Sequence, residues 1–226
     1  MKRVAAALVL FGIAFGYAEA AVVVYLRAFY EPLRAQHYPD APAGDLVPLL
    51  RADQVRAAGP KHAQMLGVEL ARELATLAML AGIGLVLGRN AGQWLAGFAV
   101  AFGIWDISFY GFLKLLLDWP ASLFTWDVLF LIPVPWVGPV LAPVVVSLTM
   151  IGAGFVFLDR EYRGRPVRAG WMHWLGVAAG GVIIVLSFTL DSRALLAGGM
   201  PAPYRWWMLA AGEALGVGTL MEALRR

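Results

Sequence analysis

Long apolar runs separated by short polar turns dominate the pattern along this chain. A helix that crosses a bilayer needs about 20 predominantly apolar residues, and about six stretches approach that length. They cover residues 4 to about 26, 65–87, 94–117, 137–158, 171–190 and 206–224. The first is interrupted only by Glu19, and the second carries Glu69, Arg72 and Glu73 in its opening turns. The third contains Asp106 and Lys114, and the sixth contains Glu213. The pattern predicts an all-α, polytopic membrane helix bundle of about six transmembrane helices, with residues 1–226 as one transmembrane domain.

The amino terminus has a second reading. Met1-Lys2-Arg3, an apolar stretch and Ala18-Glu19-Ala20 together resemble a signal peptide with a small-residue cleavage site. The apolar run nevertheless continues through Ala21-Val22-Val23-Val24-Tyr25-Leu26, beyond the length of a signal core. A retained first helix is therefore expected.

Two segments depart from simple spans. A long first connection, about 27–64, is rich in Pro, Ala and Arg; Leu46, Leu49, Leu50 and Val55 supply the apolar side of a short interfacial helix. The other is a re-entrant or interfacial segment at about 119–136, with Pro120, Pro133 and Pro135 and then Pro139 and Pro143 beyond it. Prolines this close together cannot share one regular helix. A proline-broken half-helix over about 122–131, bending at Ile132-Pro133-Val134-Pro135 before the fourth span, is the expectation. Broken backbone at membrane depth persists only where protein buries it or where it lines a wet cavity.

Composition agrees with a membrane solvent. Of 226 residues, 61% are hydrophobic and 15% charged, and mean hydropathy is +0.71. Soluble domains carry about 25% charged residues, and a soluble fold of this size cannot hide so much apolar surface. The net charge of +3 reflects arginines at membrane interfaces rather than nucleic-acid binding, since zinc-finger spacing, basic stripes and recognition-helix signatures are missing. With no cysteine in the chain, disulfides, thiolate metal sites and cysteine nucleophiles are excluded.

Orientation follows from the basic residues near short loops. Lys2, Arg3, Arg89, Arg160, Arg163, Arg165, Arg168, Arg225 and Arg226 fall on one side, against Lys114, Arg193 and Arg205 opposite. The long loop, with Arg27, Arg34, Arg51, Arg56 and Lys61, runs counter to this. Both termini are expected in the cytoplasm of a prokaryotic inner membrane, with loop 27–64 extracytoplasmic.

Charges inside apolar runs are the candidate chemistry, because each costs about 2.5–3.5 kcal/mol at the bilayer centre on insertion scales. Successive spans reverse direction, which brings Glu19, Glu69, Arg72, Glu73 and Asp106 to one side, here the outer half. Glu69 and Glu73 are spaced four apart, and Asp106, Tyr110 and Lys114 are spaced by fours along one helix. A polar pocket of Glu19, Glu69, Arg72, Glu73, Asp106, Tyr110 and Lys114, closed by Asp127, is expected. The plainer alternative is that Arg72 and Lys114 neutralise Glu73 and Asp106 in buried pairs that only set helix register.

No cofactor motif is evident. The carboxylates suit a hard cation such as Mg²⁺, Ca²⁺ or Mn²⁺, while His37, His62 and His173 form no pair that suggests haem. Serine-elbow, zinc-protease and phosphate-loop motifs do not occur.

Three function classes stay open. A proton- or cation-linked small-solute transporter leads, on the deep carboxylates. A non-catalytic subunit or assembly factor of a larger membrane complex is the second, and a membrane-embedded enzyme acting on a lipid or isoprenoid is the third. The expected partners are membrane lipid and, through the small-residue pairs Gly12/Gly16, Gly84/Gly88, Gly176/Gly180 and Gly212/Gly216, either other helices of this chain or further subunits.

Overall fold

The apolar runs become helices, and those helices carry most of the chain. A computed structural model describes residues 1–42 and 44–225; Arg226, one of the basic residues used for orientation, lies outside them. In chain order the helices are α1 (Lys2–His37), α2 (Ala52–Ala57), α3 (Pro60–Leu87), α4 (Ala91–Leu117), α5 (Leu141–Tyr162), α6 (Trp171–Thr189), α7 (Ser192–Leu196) and α8 (Trp206–Arg225). Strands β1 (Trp126–Phe130) and β2 (Trp136–Pro139) lie between α4 and α5.

Among the described residues, five helical segments are long and apolar enough to cross a membrane: α1, α3, α4, α5 and the stretch from α6 through α7. The sixth expected span is also a helix, α8, which carries Glu213 and Glu222 and is not among the five. Many large apolar side chains face outward, among them Leu10, Leu85, Val86, Leu115 and Trp207. An outer surface of this kind is stable in lipid and not in water.

The central helix is α4, which packs on α1, α3 and α5, while α6 pairs with α8. Small residues set the close approaches. A Cβ on Gly16 would lie 2.9 Å from the Trp105 carbonyl oxygen of α4, and one on Gly180 of α6 would lie 2.7 Å from the Gly212 carbonyl oxygen of α8. The small-residue pairs thus serve packing within one chain. The main core gathers Leu8, Leu80, Val100, Ile104, Trp105 and Leu158 from the helices around α4.

Helix α1 runs eleven residues past the expected end at Leu26, through Pro32, to His37. At about 1.5 Å per residue it outreaches the hydrocarbon core and carries Arg27, Tyr30, Glu31 and Arg34 to the rim of the bundle. Arg34 is buried there, donating to the carbonyl oxygens of Leu46, Val47 and Pro48 at 2.5–3.2 Å. Leu46, Leu49 and Leu50 thus lie outside any helix, and the short helix α2 begins only at Ala52, with Val55 buried beneath it.

The expected half-helix over 122–131 is not formed. The segment is an antiparallel hairpin pairing Trp126 with Pro139, Asp127 with Gly138, Val128 with Val137 and Phe130 with Trp136, with a bulge before Phe130. The prolines explain the choice: Pro133 and Pro135 occupy the turn, where no ladder donor is needed, and Pro139 ends β2. The hairpin packs on α5 and α6 through β2. Asp127, Val137 and Gly138 are buried, and a Cβ on Gly138 would meet the Phe188 ring of α6 at 2.8 Å.

Candidate functional site

The first cluster ties α1 to α3. Arg72 lies one helical turn before Thr76 on α3, so both face Glu19 in the middle of α1. The Arg72 guanidinium donates to Glu19 and, through Nε and Nη2, to both carboxylate oxygens of Glu69 at 2.8 and 2.5 Å. Thr76 donates to the second Glu19 oxygen at 2.8 Å. Glu19 is buried and fully engaged here, which favours the structural reading for this trio.

The second cluster ties the hairpin to the helices. Both oxygens of buried Glu73 accept the Leu131 backbone N–H, at 3.0 and 2.8 Å. The Tyr110 hydroxyl of α4 donates to Asp127 Oδ2 of β1 at 2.8 Å. One turn before Tyr110, Asp106 accepts a hydrogen bond from Ser147 of α5 at 2.8 Å. Asp106, Tyr110 and Asp127 are all buried. Arg72 does not bridge to Glu73, nor Lys114 to Asp106, so the expected neutralising pairs are replaced by Arg72 with Glu19 and Glu69, and by hydroxyl donors on the aspartates.

Lys114 is not part of the site. Its ammonium points away to Asp118 Oδ1 at 2.7 Å and to the Pro120 carbonyl oxygen at 3.2 Å, on the exposed end of α4. That contact holds the Asp118 carboxyl below the usual carboxylate range. The helix terminus draws a lysine in its last turn toward free carbonyls, and this overrides the spacing by fours.

The other seven expected residues all line one cavity of about 990 Å³. It extends from Arg34 and Leu49 at the rim near α2 to Gly92, Val167 and His173 at the opposite end of the bundle. Between these ends its wall is largely apolar and aromatic, with Phe98, Phe102, Trp105, Phe157, Val177 and Ile184 among the lining residues. The polar groups of the two clusters sit toward the hairpin end. Glu213 of α8 and Thr149 of α5 add a further polar pair on the wall.

The sequence reading missed Thr76 and Ser147 as partners, and Arg27 and Arg34 as wall residues. The spacing of 27 and 34, seven apart and on one helix face, was a usable signal once α1 is continued past residue 26. At the far end, Glu161 of α5 accepts from Gln93 at 3.0 Å and from the Val167 backbone N–H at 2.9 Å, fastening the turn after α5.

Among the described residues, no group of three His, Cys, Asp or Glu side chains gathers to hold a metal ion. The acids of the site are instead spread over guanidinium, hydroxyl and backbone donors. In comparisons with known proteins, the chain matches no family model, no curated protein and no solved structure.

Proposed function

We propose that this protein is a membrane transporter whose solute is an amphiphile with a long apolar part, such as a bilayer lipid or an isoprenoid, and that the carboxylates at the hairpin end form its proton- or cation-linked station. The observation that carries this reading is the cavity, which is lined from one end of the bundle to the other and is apolar along most of its wall. Its volume of about 990 Å³ stands at the upper end of the range for sites that enclose a drug-sized molecule. A small hydrophilic solute would leave its hydrogen-bonding groups unmet against Phe98, Phe102 and Phe157, at a cost of a few kcal/mol per group. An acyl or prenyl chain would lose no such bonds there.

Asp106 is the residue we assign to coupling. Unlike Glu19, which accepts from both Arg72 and Thr76, it has a single neutral donor in Ser147. A buried carboxyl with one neutral partner can exchange its charge for a proton at far lower structural cost than one locked in an ion pair. The orientation that accompanies this reading has both termini on the cytoplasmic face of a prokaryotic inner membrane, with the hairpin end outward.

The test is reconstitution into liposomes containing a fluorescent phospholipid with one short chain, with transbilayer movement followed by quenching from outside. The reading expects movement well above protein-free vesicles, and its loss in Asp106→Asn with the melting temperature preserved. Movement no faster than in empty vesicles, or undiminished in that variant, contradicts it.

A further inference from the structure

Hydrogen-bond satisfaction at the hairpin end of the cavity is one-sided. The acceptors are met: Glu19, Glu69, Glu73, Asp106 and Asp127 each receive at least one donor. The donors are not. Nε and Nη2 of Arg27, Nε1 of Trp105 and Nε1 of Trp136 are buried and have no partner among the described residues. All three side chains line the cavity. Trp105 and Trp136 share one neighbourhood, since the Phe130 ring of β1 lies 6.3 Å from Trp105 and 5.7 Å from Trp136, centroid to centroid, whereas Arg27 contacts Gly44 and Trp119. Buried polar groups without partners are rare in folded proteins and call for an explanation.

Arg27 is the most informative of the three. Its Nη1 donates to the Gly44 carbonyl oxygen at 2.9 Å, and its guanidinium lies 4.1 Å from the centre of the Trp119 ring. One edge and one face are thus held, and the edge formed by Nε and Nη2 is left over. Two other arginines of the same chain show what that edge binds. Arg51 grips both oxygens of Asp53 with Nε and Nη2 at 2.9 and 2.7 Å. Arg72 grips both oxygens of Glu69 with the same two atoms. A planar two-oxygen acceptor is the natural partner of this fork.

We infer that the Nε–Nη2 edge of Arg27 receives an anionic head group, a phosphate or carboxylate, at the hairpin end of the cavity. The inference rests on the amphiphile reading above and adds the head to the chain. The fork is closed to water in this state, so the head group engages it as the Arg27 side chain turns on its Trp119 stack, from a helix position at the rim of the bundle. The Asp127 carboxylate does not occupy the fork; its Oδ2 accepts from Tyr110. A lipid head and a free anion share this chemistry.

The experiment uses the full chain in lipid nanodiscs and three photoreactive probes with the same long alkyl chain, ending in a carboxylate, a phosphate monoester or an alcohol. Labelling of the cavity wall is quantified by peptide mapping. The wild type is expected to bind the two acidic probes about tenfold more tightly than the alcohol, as a charge-assisted bidentate contact provides. Arg27→Met should reduce the acidic probes to the level of the alcohol, and Arg27→Lys should restore part of the preference, which a merely misfolded variant would not do. Equal binding of acid and alcohol by the wild type, or an acid preference that survives Arg27→Met, overturns the inference. Failure of all three probes to label the wall instead contradicts the amphiphile reading itself. Displacement of the acidic probes by inorganic phosphate would identify a free anion as the natural occupant, whereas resistance to phosphate would identify a lipid head.

Discussion

Arg72 shows how a single side chain can be structural even when it sits in a cavity wall. It serves Glu19 on α1 and Glu69 on its own helix together, and Thr76 completes the Glu19 carboxylate. Removing the shared arginine from such a buried set strands its carboxylates, which costs about 3–5 kcal/mol. Arg72→Met should lower stability by that amount in thermal or denaturant unfolding of the detergent-solubilised protein. Combining Glu19→Leu with Glu69→Leu and Arg72→Met should recover most of the loss, because no unpaired charge remains. Asp106→Asn should behave differently: the amide oxygen still accepts from Ser147, so stability should change by no more than about 1 kcal/mol, and only transport should suffer. The residue types and their depth were readable in the sequence, and the partners were not. Spacing along one helix says nothing of which neighbouring helix supplies Thr76 or Ser147. It also misled at Lys114, where the free carbonyls ending α4 outcompete a buried aspartate two turns away.

Elements are held at two kinds of joint. Helices meet where glycine lets backbones touch, as Gly16 of α1 does against Trp105 of α4. Gly16→Ala should therefore cost about 1–3 kcal/mol through overpacking. Gly82→Ala on α3, where an added Cβ meets nothing within 4 Å, should stabilise by up to about 1 kcal/mol through helix propensity. Comparing the two melting temperatures checks the claim that the small-residue pairs are internal. The hairpin is pinned by Glu73 holding the Leu131 N–H, so Glu73→Leu should cost about 1–3 kcal/mol by leaving a buried donor unmet. Faster amide exchange at Leu131 should accompany it. Helices were legible because an apolar run of bilayer length has few other solutions. The hairpin was less so: Trp126 to Phe130 is too short for a clear period, and its strands are stabilised by Tyr110, Glu73 and Phe188 from distant parts of the chain. The end of α1 was misplaced for a related reason, since Pro32 and a run of charged residues read as loop.

At the scale of the molecule, seven of the eight residues named from the sequence line one cavity. Sequence could not show that most of the cavity wall would be apolar, because inward and lipid-facing leucines and phenylalanines look alike in a membrane helix. That wall is why the proposed solute is an amphiphile rather than the small solute expected from the sequence. Narrowing the cavity with Ala99→Trp should reduce binding of a long-chain probe several-fold, while fluorescence-detected chromatography shows an intact, monodisperse protein.

Photo-labelling in reconstituted membranes tests the central claim most directly. A long-chain alcohol carrying a diazirine midway along its chain is activated in proteoliposomes, and the modified residues are mapped by mass spectrometry. The account predicts saturable labelling of inward residues such as Phe98, Phe102 and Phe157, competed by the unmodified alcohol. Labelling confined to outward residues such as Leu85, Val86 and Leu115, without saturation, would mean that lipid only surrounds the protein and that the cavity does not receive it.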